Sequence, residues 1–369
     1  MNEHLERLTA QLRQVAALPI GQARSLPGVF YTDAAFFSHE CDRMMRRAWH
    51  CLGRVDEIPN PGDYFTVRLL EEPLLVIRGD EGEIRVLSNL CRHRGMTLLQ
   101  GKGAVRGVVC GYHAWSYRRD GTLASSPRLD AGRAGPECNL PAFPCELWQG
   151  FIYVNLQRGA EPLSARLHAL DALIGPYQPK KMRVVHVAEE MWRVNWKCLI
   201  ENFMEAYHLS VVHPQTLRPY VPTSMARKGA DDRAFTSYEA NYDSRAESRG
   251  RGSEQLTAAQ RNRSTLFCVY PTHIVSVAAT LLSSISVQPL TADSLGLRWT
   301  LSTYEDELSA DIVAERIALW EKVNAEDRRM LERLQPGLSS RCAHGGPLAG
   351  HDAEGTIHDF VRYLARALT

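Results

Sequence analysis

The sequence has no apolar run of the roughly 20 residues that a membrane-spanning helix needs, which sets a helical membrane protein aside. It has no charge excess. Its 43 lysines and arginines stand against 42 aspartates and glutamates, a net charge of +1, where a dedicated nucleic-acid binder carries a clear basic surplus. It has no internal repeat and no low-complexity tract. It also lacks a G-x-G-x-x-G turn after a strand: Gly101, Gly103 and Gly107 do not fit that spacing, so no flavin or nicotinamide site is expected in the chain itself. The opening MNEHLERLTAQLRQVAALP has two early glutamates and no apolar centre, unlike a secretory signal. A cytoplasmic protein, with neither membrane nor nucleic acid as partner, is expected. Nine cysteines, an odd number in a chain of 369 residues in a reducing compartment, do not suggest a disulfide framework.

What is present is the composition of a globular protein, 44% hydrophobic and 23% charged, of a length that suggests about two domains. Leu5, Leu8, Leu12 and Val15 recur at helical spacing, and Thr32 or Asp33 can cap a second helix running to about Ala48. From Trp49 the pattern changes to short β-rich stretches (DYFTVRLL, EPLLVIRG, EIRVLSNL, AVRGVVC, ELWQGFIYVNL) between turn residues. After Gly159 come two helical segments, PLSARLHALDALIGPY and WKCLIENFMEAYHLSVV. Residues 226–262 are polar and highly charged and read as a long exposed loop or lid. Strands return in TLFCVYPTHIVSVAATLLSSISVQPL and SLGLRWTLSTYED, then a long helix over about Glu305–Leu334 and a surface helix from about Asp352. The expected fold is α+β. A small antiparallel β domain (49–158) is inserted in a larger domain (159–369) whose antiparallel sheet is flanked by helices, with the helices of residues 1–48 packing on that larger domain.

Two constellations carry chemistry. The first is CRHRG at 91–95 with CGYHAW at 110–115, a C-x-H and a C-x-x-H pair at the tips of two β loops. Cys91, His93, Cys110 and His113 can hold one tetrahedral zinc, or a [2Fe–2S] cluster with two thiolates on one iron and two imidazoles on the other. Zinc fingers pair like ligands within a loop; here each loop pairs one Cys with one His, which suits two irons spanned by both loops. The second is NWKCLIENFMEAYHLSVVHP at 195–214. On a continuous helix Glu201, Glu205 and His208 fall on one face, a costly set in a core without a metal, a partner charge or solvent. Pro214 disfavours helix at His213, so the chain must loosen after about Leu209 and return His213 to the side of His208. Two imidazoles so placed are two legs of a 2-His-1-carboxylate iron site. Asp327 offers the third: it lies within the apolar stripe Trp320, Val323, Leu331 and Leu334, while Glu326 and Arg328 fall off it. Asp352 and Asp359 are rivals.

Together, CRHRG with CGYHAWSYRRDG and E-N-x-x-E-x-Y-H-x₄-H resemble the Rieske non-heme iron oxygenases, the α (catalytic) subunits of the ring-hydroxylating oxygenases, over about residues 27–360. Gly111 stands where that family commonly has proline. The resemblance implies a Rieske [2Fe–2S] cluster on the four Cys and His residues and a mononuclear Fe(II) on His208, His213 and Asp327. It implies that Glu205, at a position more often aspartate, links the two centres, that Asn202 and Tyr207 shape the iron's surroundings, and that Tyr112 and Trp115 pack the cluster loop. It implies a head-to-tail homotrimer, an electron-donating reductase or ferredoxin that draws on NAD(P)H, and O₂ as co-substrate for hydroxylation, dihydroxylation or oxidative demethylation. The glutamate variant is similar to the branch acting on carnitine and other quaternary ammonium compounds. Such a cation calls for an aromatic cage or a carboxylate near the iron, and Phe203, Phe267, Tyr270 and Trp299 are candidates for the cage; an aromatic acid calls for an arginine or lysine at the pocket, and the polar segment 226–262 offers arginines. The alternatives are a non-catalytic zinc module and a Rieske electron carrier.

Overall fold

A computed structural model of the chain describes residues 3–129, 133–242, 250–304 and 308–368. It divides into two compact units, Trp49–Pro162 and, from two stretches of chain, Met1–Ala48 with Leu163–Thr369. Both are built on antiparallel sheets, the larger one with helices, as the α+β reading expects.

The smaller unit holds a five-stranded sheet in the order Lys102–Ala104, Asp63–Leu69, Glu72–Arg78, Ile84–Ser88, Ala142–Phe143. A three-stranded sheet, Trp49–Arg54, Phe151–Asn155 and Cys145–Trp148, accompanies it. Glu72–Arg78 explains why there are two cores. Successive side chains point to opposite faces, so Leu74 and Val76 join Leu52, Phe65, Ile152 and Val154 on one side. Leu75 and Ile77 join Leu87, Val108, Trp115, Tyr117, Cys91 and Cys110 on the other. A strand buried on both faces reads as a continuous apolar run, which PLLVI is. ELWQGFIYVNL proves to be two strands, because Gln149 and Gly150 take positive φ (49° and 84°), the pair of left-handed residues that a two-residue hairpin turn needs.

The larger unit is organised on a seven-stranded antiparallel sheet in the order Met182–Trp192, Ser294–Tyr304, Leu281–Thr291, His273–Val277, Arg263–Val269, Phe235–Asn241, Ala226–Asp231. The last two strands correct the expected lid. Most of the described part of 226–262 is an edge hairpin with Phe235, Thr236, Ser237, Tyr238 and Ala240 buried, and a helical turn at Ala258–Arg261; residues 243–249 lie outside the described residues. Its charged residues misled because an edge strand carries them on its solvent side. Met182–Trp192 has no counterpart in the sequence reading for the same reason: it is an edge strand with polar residues in both its halves.

Helices cover this sheet. Asp33 does cap a helix, accepting from the Phe36 N–H at 2.7 Å, but that helix ends at Arg43. The long helix is Ala310–Leu338, capped by Ser309; residues 305–307, where it was expected to begin, lie outside the described residues. His351–Leu368 is not a surface helix: Ile357, Phe360, Val361, Leu364 and Leu368 are buried, and it packs on Glu3–Ala16 and on the edge hairpin. Among the described residues no helix is long and apolar enough to cross a membrane.

Candidate functional site

In the smaller unit the two Cys/His loops are closed in the same way. The Cys91 carbonyl accepts from Gly95 N–H (2.9 Å) and its N–H donates to the Met96 carbonyl (2.8 Å). The Cys110 carbonyl accepts from Ala114 (3.0 Å) and its N–H donates to Trp115 (2.7 Å). Gly95 and Ala114 occupy matching positions with φ of 73° and 60°. Both cysteines are buried and both histidines exposed. His93 lies stacked on Trp115, centroids 4.9 Å apart, and 4.7 Å from His113, which Tyr112 adjoins at 3.8 Å.

The donors around the sulfurs fit a pair of thiolates. The Tyr117 oxygen accepts from Arg92 N–H at 2.9 Å, which leaves its hydroxyl hydrogen for Cys91 Sγ at 3.3 Å. Burial pushes the Cys110 thiol up, but the backbone N–H groups of Tyr112 and His113, with Cys91, outweigh it and hold the thiol below its ordinary value. Two inward thiols that receive hydrogen bonds, and two outward imidazoles, suit a cluster whose irons differ in ligands.

In the larger unit the expected continuous helix is broken earlier than its sequence suggests. Asn195 caps Trp196–Phe203, and the helix stops at Met204. The Glu205 carboxylate then takes the N–H groups of Tyr207 and His208, which turns the chain into a single helical turn, Leu209–Val212, flanked by His208 and His213. The shared helical face is therefore corrected. Glu201 points into the core, where Tyr31 donates to both its oxygens (2.8 and 3.0 Å), and burial pushes its carboxyl up to about 7 against the opposing effects of Tyr31 and Lys197. Glu205 reaches His208 through the turn, at Nδ1.

The break brings His208 and His213 to a centroid distance of 5.3 Å. Asp327 meets them: its Oδ1 lies 3.6 Å from His208 Nε2 and 3.1 Å from His213 Nε2. Ligand atoms of all three residues lie within 4.8 Å of one another. The Nδ1 atoms are committed elsewhere, His208 to Glu205 and His213 to Glu326 (2.8 Å). Both Nε2 atoms therefore face the carboxylate. His213 Nε2 and Asp327 Oδ1 are buried without a hydrogen-bond partner, an expense that a cation between them removes. Neutral imidazoles, one carboxylate and open positions form the donor set of a non-heme Fe(II) site.

The other expected residues divide. Asn202 Nδ2 lies 3.2 Å from His208 Nε2. The Tyr207 ring is 60% exposed, so what it offers the site is its backbone N–H. Asp359 is engaged by Lys228 (2.9 Å) and Thr236 (2.7 Å), and Asp352 by Lys228 N–H (3.2 Å), so neither rival joins the cluster. The stripe that singled out Asp327 holds in part. Val323 and Leu331 are buried, but Leu334 is exposed, and Glu326, read as off the stripe, faces His213.

Of the aromatic candidates, Phe267 faces away. It pairs with Ser237, one position off Tyr238, and the Tyr238 hydroxyl donates to Phe203 O on the helix side (3.3 Å). Tyr270 stacks on Tyr363 in the helix–sheet core, centroids 4.3 Å apart. Phe203 is half-buried. Trp299 shares the sheet face of Tyr238 through the registered pairs Ile285, Ile274, Cys268 and Thr236. Tyr238 was not foreseen; burial, then the charges of Glu205 and Asp327, push its hydroxyl well up.

Residues 178–369 match the family described as ring hydroxylating alpha subunit (catalytic domain), and residues 48–144 match the Rieske [2Fe-2S] domain. The chain is 32% identical over 199 residues to a carnitine monooxygenase oxygenase subunit of Acinetobacter baumannii, covering 52% of this chain and 53% of that one. It thus spans about half the length of the first curated relatives it matches. It is 26% identical over 382 residues to a glycine betaine monooxygenase oxygenase subunit of Pseudomonas aeruginosa, covering 93% and 89%. It shares its fold with a quaternary ammonium Rieske monooxygenase whose structure is described as informing carnitine oxidation and inter-subunit electron transfer (TM-score 0.83, 24% identity, 95% and 99% covered).

Proposed function

Because this chain belongs to the family of ring-hydroxylating oxygenase α subunits, we propose that it is a terminal oxygenase acting on a quaternary ammonium substrate. The net reaction takes O₂, two electrons and two protons, hydroxylates one carbon and releases water; where that carbon is bonded to the ammonium nitrogen, the product loses its hydroxyl proton, the oxygen becomes a carbonyl, and the amine leaves with the C–N electron pair. The observation that carries this reading is the convergence of His208, His213 and Asp327, with two Nε2 atoms turned inward and a carboxylate oxygen left unpaired.

When bound, a cluster on Cys91, His93, Cys110 and His113 supplies electrons singly, and an Fe(II) on His208, His213 and Asp327 activates O₂. The chain's own residues prepare that chemistry. Glu205 and Glu326 fix the imidazole orientations, and Asn202 stands against His208. Glu205 would link His208 to His113 of a neighbouring copy in a head-to-tail homotrimer, consistent with the inter-subunit electron transfer described for the similar monooxygenase. Because the chain offers no nicotinamide-binding turn, a cytoplasmic reductase or ferredoxin would deliver electrons from NAD(P)H.

Two observations support a quaternary ammonium substrate. Position 205 is glutamate, and the relatives include carnitine and glycine betaine monooxygenases. Of the arginines in the charged segment 226–262, Arg227 and Arg261 are engaged with backbone carbonyls.

The test is O₂ uptake with a surrogate reductase over carnitine, glycine betaine, choline, methoxybenzoates and phthalate. Uptake matched by dealkylated product with the trimethylammonium compounds is expected. Coupled turnover of the aromatic acids alone, or purified protein containing zinc and no iron, would overturn it.

A further inference from the structure

We propose that Glu326 is a positioning residue that fixes the tautomer of His213, and that Thr216 aims it. This rests on the reading of His208, His213 and Asp327 as metal ligands. His213 is fully buried, with successive residues of one helix beside its two ring nitrogens, of which only Nδ1 is hydrogen-bonded. Glu326 Oε2 lies 2.8 Å from Nδ1, and Asp327 Oδ1 lies 3.1 Å from Nε2. The same Glu326 oxygen accepts from the buried Thr216 hydroxyl at 2.7 Å.

A neutral imidazole carries one N–H. With Glu326 accepting at Nδ1, the hydrogen sits there and Nε2 presents its lone pair toward Asp327. Without Glu326, the hydrogen is free to move to Nε2 and donate to Asp327 Oδ1. That closes two of the three ligands on each other, and a metal ion would have to break the pair before binding. Glu326 thus acts by removing a competing hydrogen bond as well as by orienting the ring, the role of a carboxylate behind a metal-bound histidine. Glu205 does the same for His208, but the two are anchored differently. Glu205 is held by local backbone N–H groups, whereas Glu326 is held by a hydroxyl from another part of the chain.

The experiment uses the full chain with its cluster intact and the mononuclear metal removed by chelation. Co(II) is added anaerobically, bound metal is measured by equilibrium dialysis, and its coordination by EPR. Glu326→Leu should bind Co(II) about 10- to 100-fold more weakly than the parent. Glu326→Gln should lose less, since its amide oxygen can still accept from Nδ1. Thr216→Val should weaken binding by several-fold, and Thr216→Ser, which keeps the hydroxyl, should restore it. Parent affinity in both Glu326→Leu and Thr216→Val overturns the proposal, as does an equal loss in Thr216→Ser and Thr216→Val, which would assign the effect to packing. If the Glu326 variants do not fold, the Thr216 pair decides. His213→Ala separates the two levels. Undiminished Co(II) binding there would overturn the ligand set itself, whereas its loss beside unaffected Glu326 and Thr216 variants would overturn the positioning role alone.

Discussion

Replacing Lys197 by methionine should destabilise the larger unit by about 3–5 kcal/mol, although methionine fills a similar volume. Lys197 and Glu40 are both 0% exposed, and Nζ lies 2.7 Å and 3.0 Å from the two carboxylate oxygens. The ammonium also sits over the rings of Trp196 (5.0 Å), Tyr31 (5.5 Å) and Phe36 (5.9 Å). Its removal leaves Glu40 buried as an uncompensated charge, with Trp196 Nε1–H still donating at 3.2 Å. Burial already pushes the Glu40 carboxyl above its ordinary value while Lys197 holds it down, so without Lys197 it rises further. Between the unfolded value of about 4.3 and that raised folded value, the folded state binds the extra proton. Stability therefore falls as pH rises, and the deficit of the variant should shrink toward acid. At roughly 2–4 °C per kcal/mol for a unit of this size, the expected loss is about 6–20 °C in thermal midpoint at neutral pH. Circular dichroism melts at neutral and mildly acidic pH measure it. Lys197→Met/Glu40→Gln should recover most of the loss, because no lone charge remains and the glutamine can still accept from Trp196. A loss under about 1 kcal/mol, or a deficit that grows toward acid, would refute the reasoning.

Asp327→Ala should lose mononuclear iron and turnover while the visible absorption of the cluster survives; Asp352→Ala, whose carboxylate is half-exposed and remote from the histidines, should lose neither in metal analysis. His93→Cys should lower the cluster's reduction potential by on the order of hundreds of millivolts, since imidazole ligation raises it; spectroelectrochemistry showing the parent potential would remove His93 from the ligand set. Glu205→Gln keeps its shape without the charge, so both metals should remain bound while single-turnover oxidation of a pre-reduced protein slows strongly. Oxidation at the parent rate would leave Glu205 only its turn-forming role.

The chemistry was legible where it was local. Each cluster loop carries its two ligands within four residues, and Asp33 caps the residues just after it. The stripe that pointed to Asp327 holds at Val323 and Leu331 but not at Leu334, so it was only a partial guide. Three features were not legible. ENFMEAYHLSVV has no residue that forbids helix, and the break after Phe203 comes from the Glu205 side chain capturing N–H groups that a helix would have used internally. The edge strands Met182–Trp192 and Ala226–Asp231 have polar faces and no clean alternation, so their pairing is decided by neighbours distant in sequence. Glu326 lies about 100° around the helix from Asp327; that both reach one imidazole depends on where His213 arrives, which no periodicity on that helix encodes. The adjacent acidic pair was the available signal.

The division of the larger unit across the chain has a consequence for its synthesis. The inserted unit begins and ends in contact with itself: Trp49 pairs with Asn155 and its indole N–H donates to the Glu161 carbonyl at 3.0 Å. It can therefore close as soon as it leaves the ribosome. Residues before Trp49 have no such option. Leu8 and Leu12 lie on a helix that packs against His351–Leu368, and Glu40 awaits Lys197. At about 5–20 residues per second, the interval between emergence of this helix and its partner is roughly 17–70 s. Throughout it, Leu8 and Leu12, both buried in the finished fold, await that partner helix. Assembly of the larger unit thus waits on His351–Leu368, and the helix Glu3–Ala16 is separated from its partner by the whole of the inserted unit.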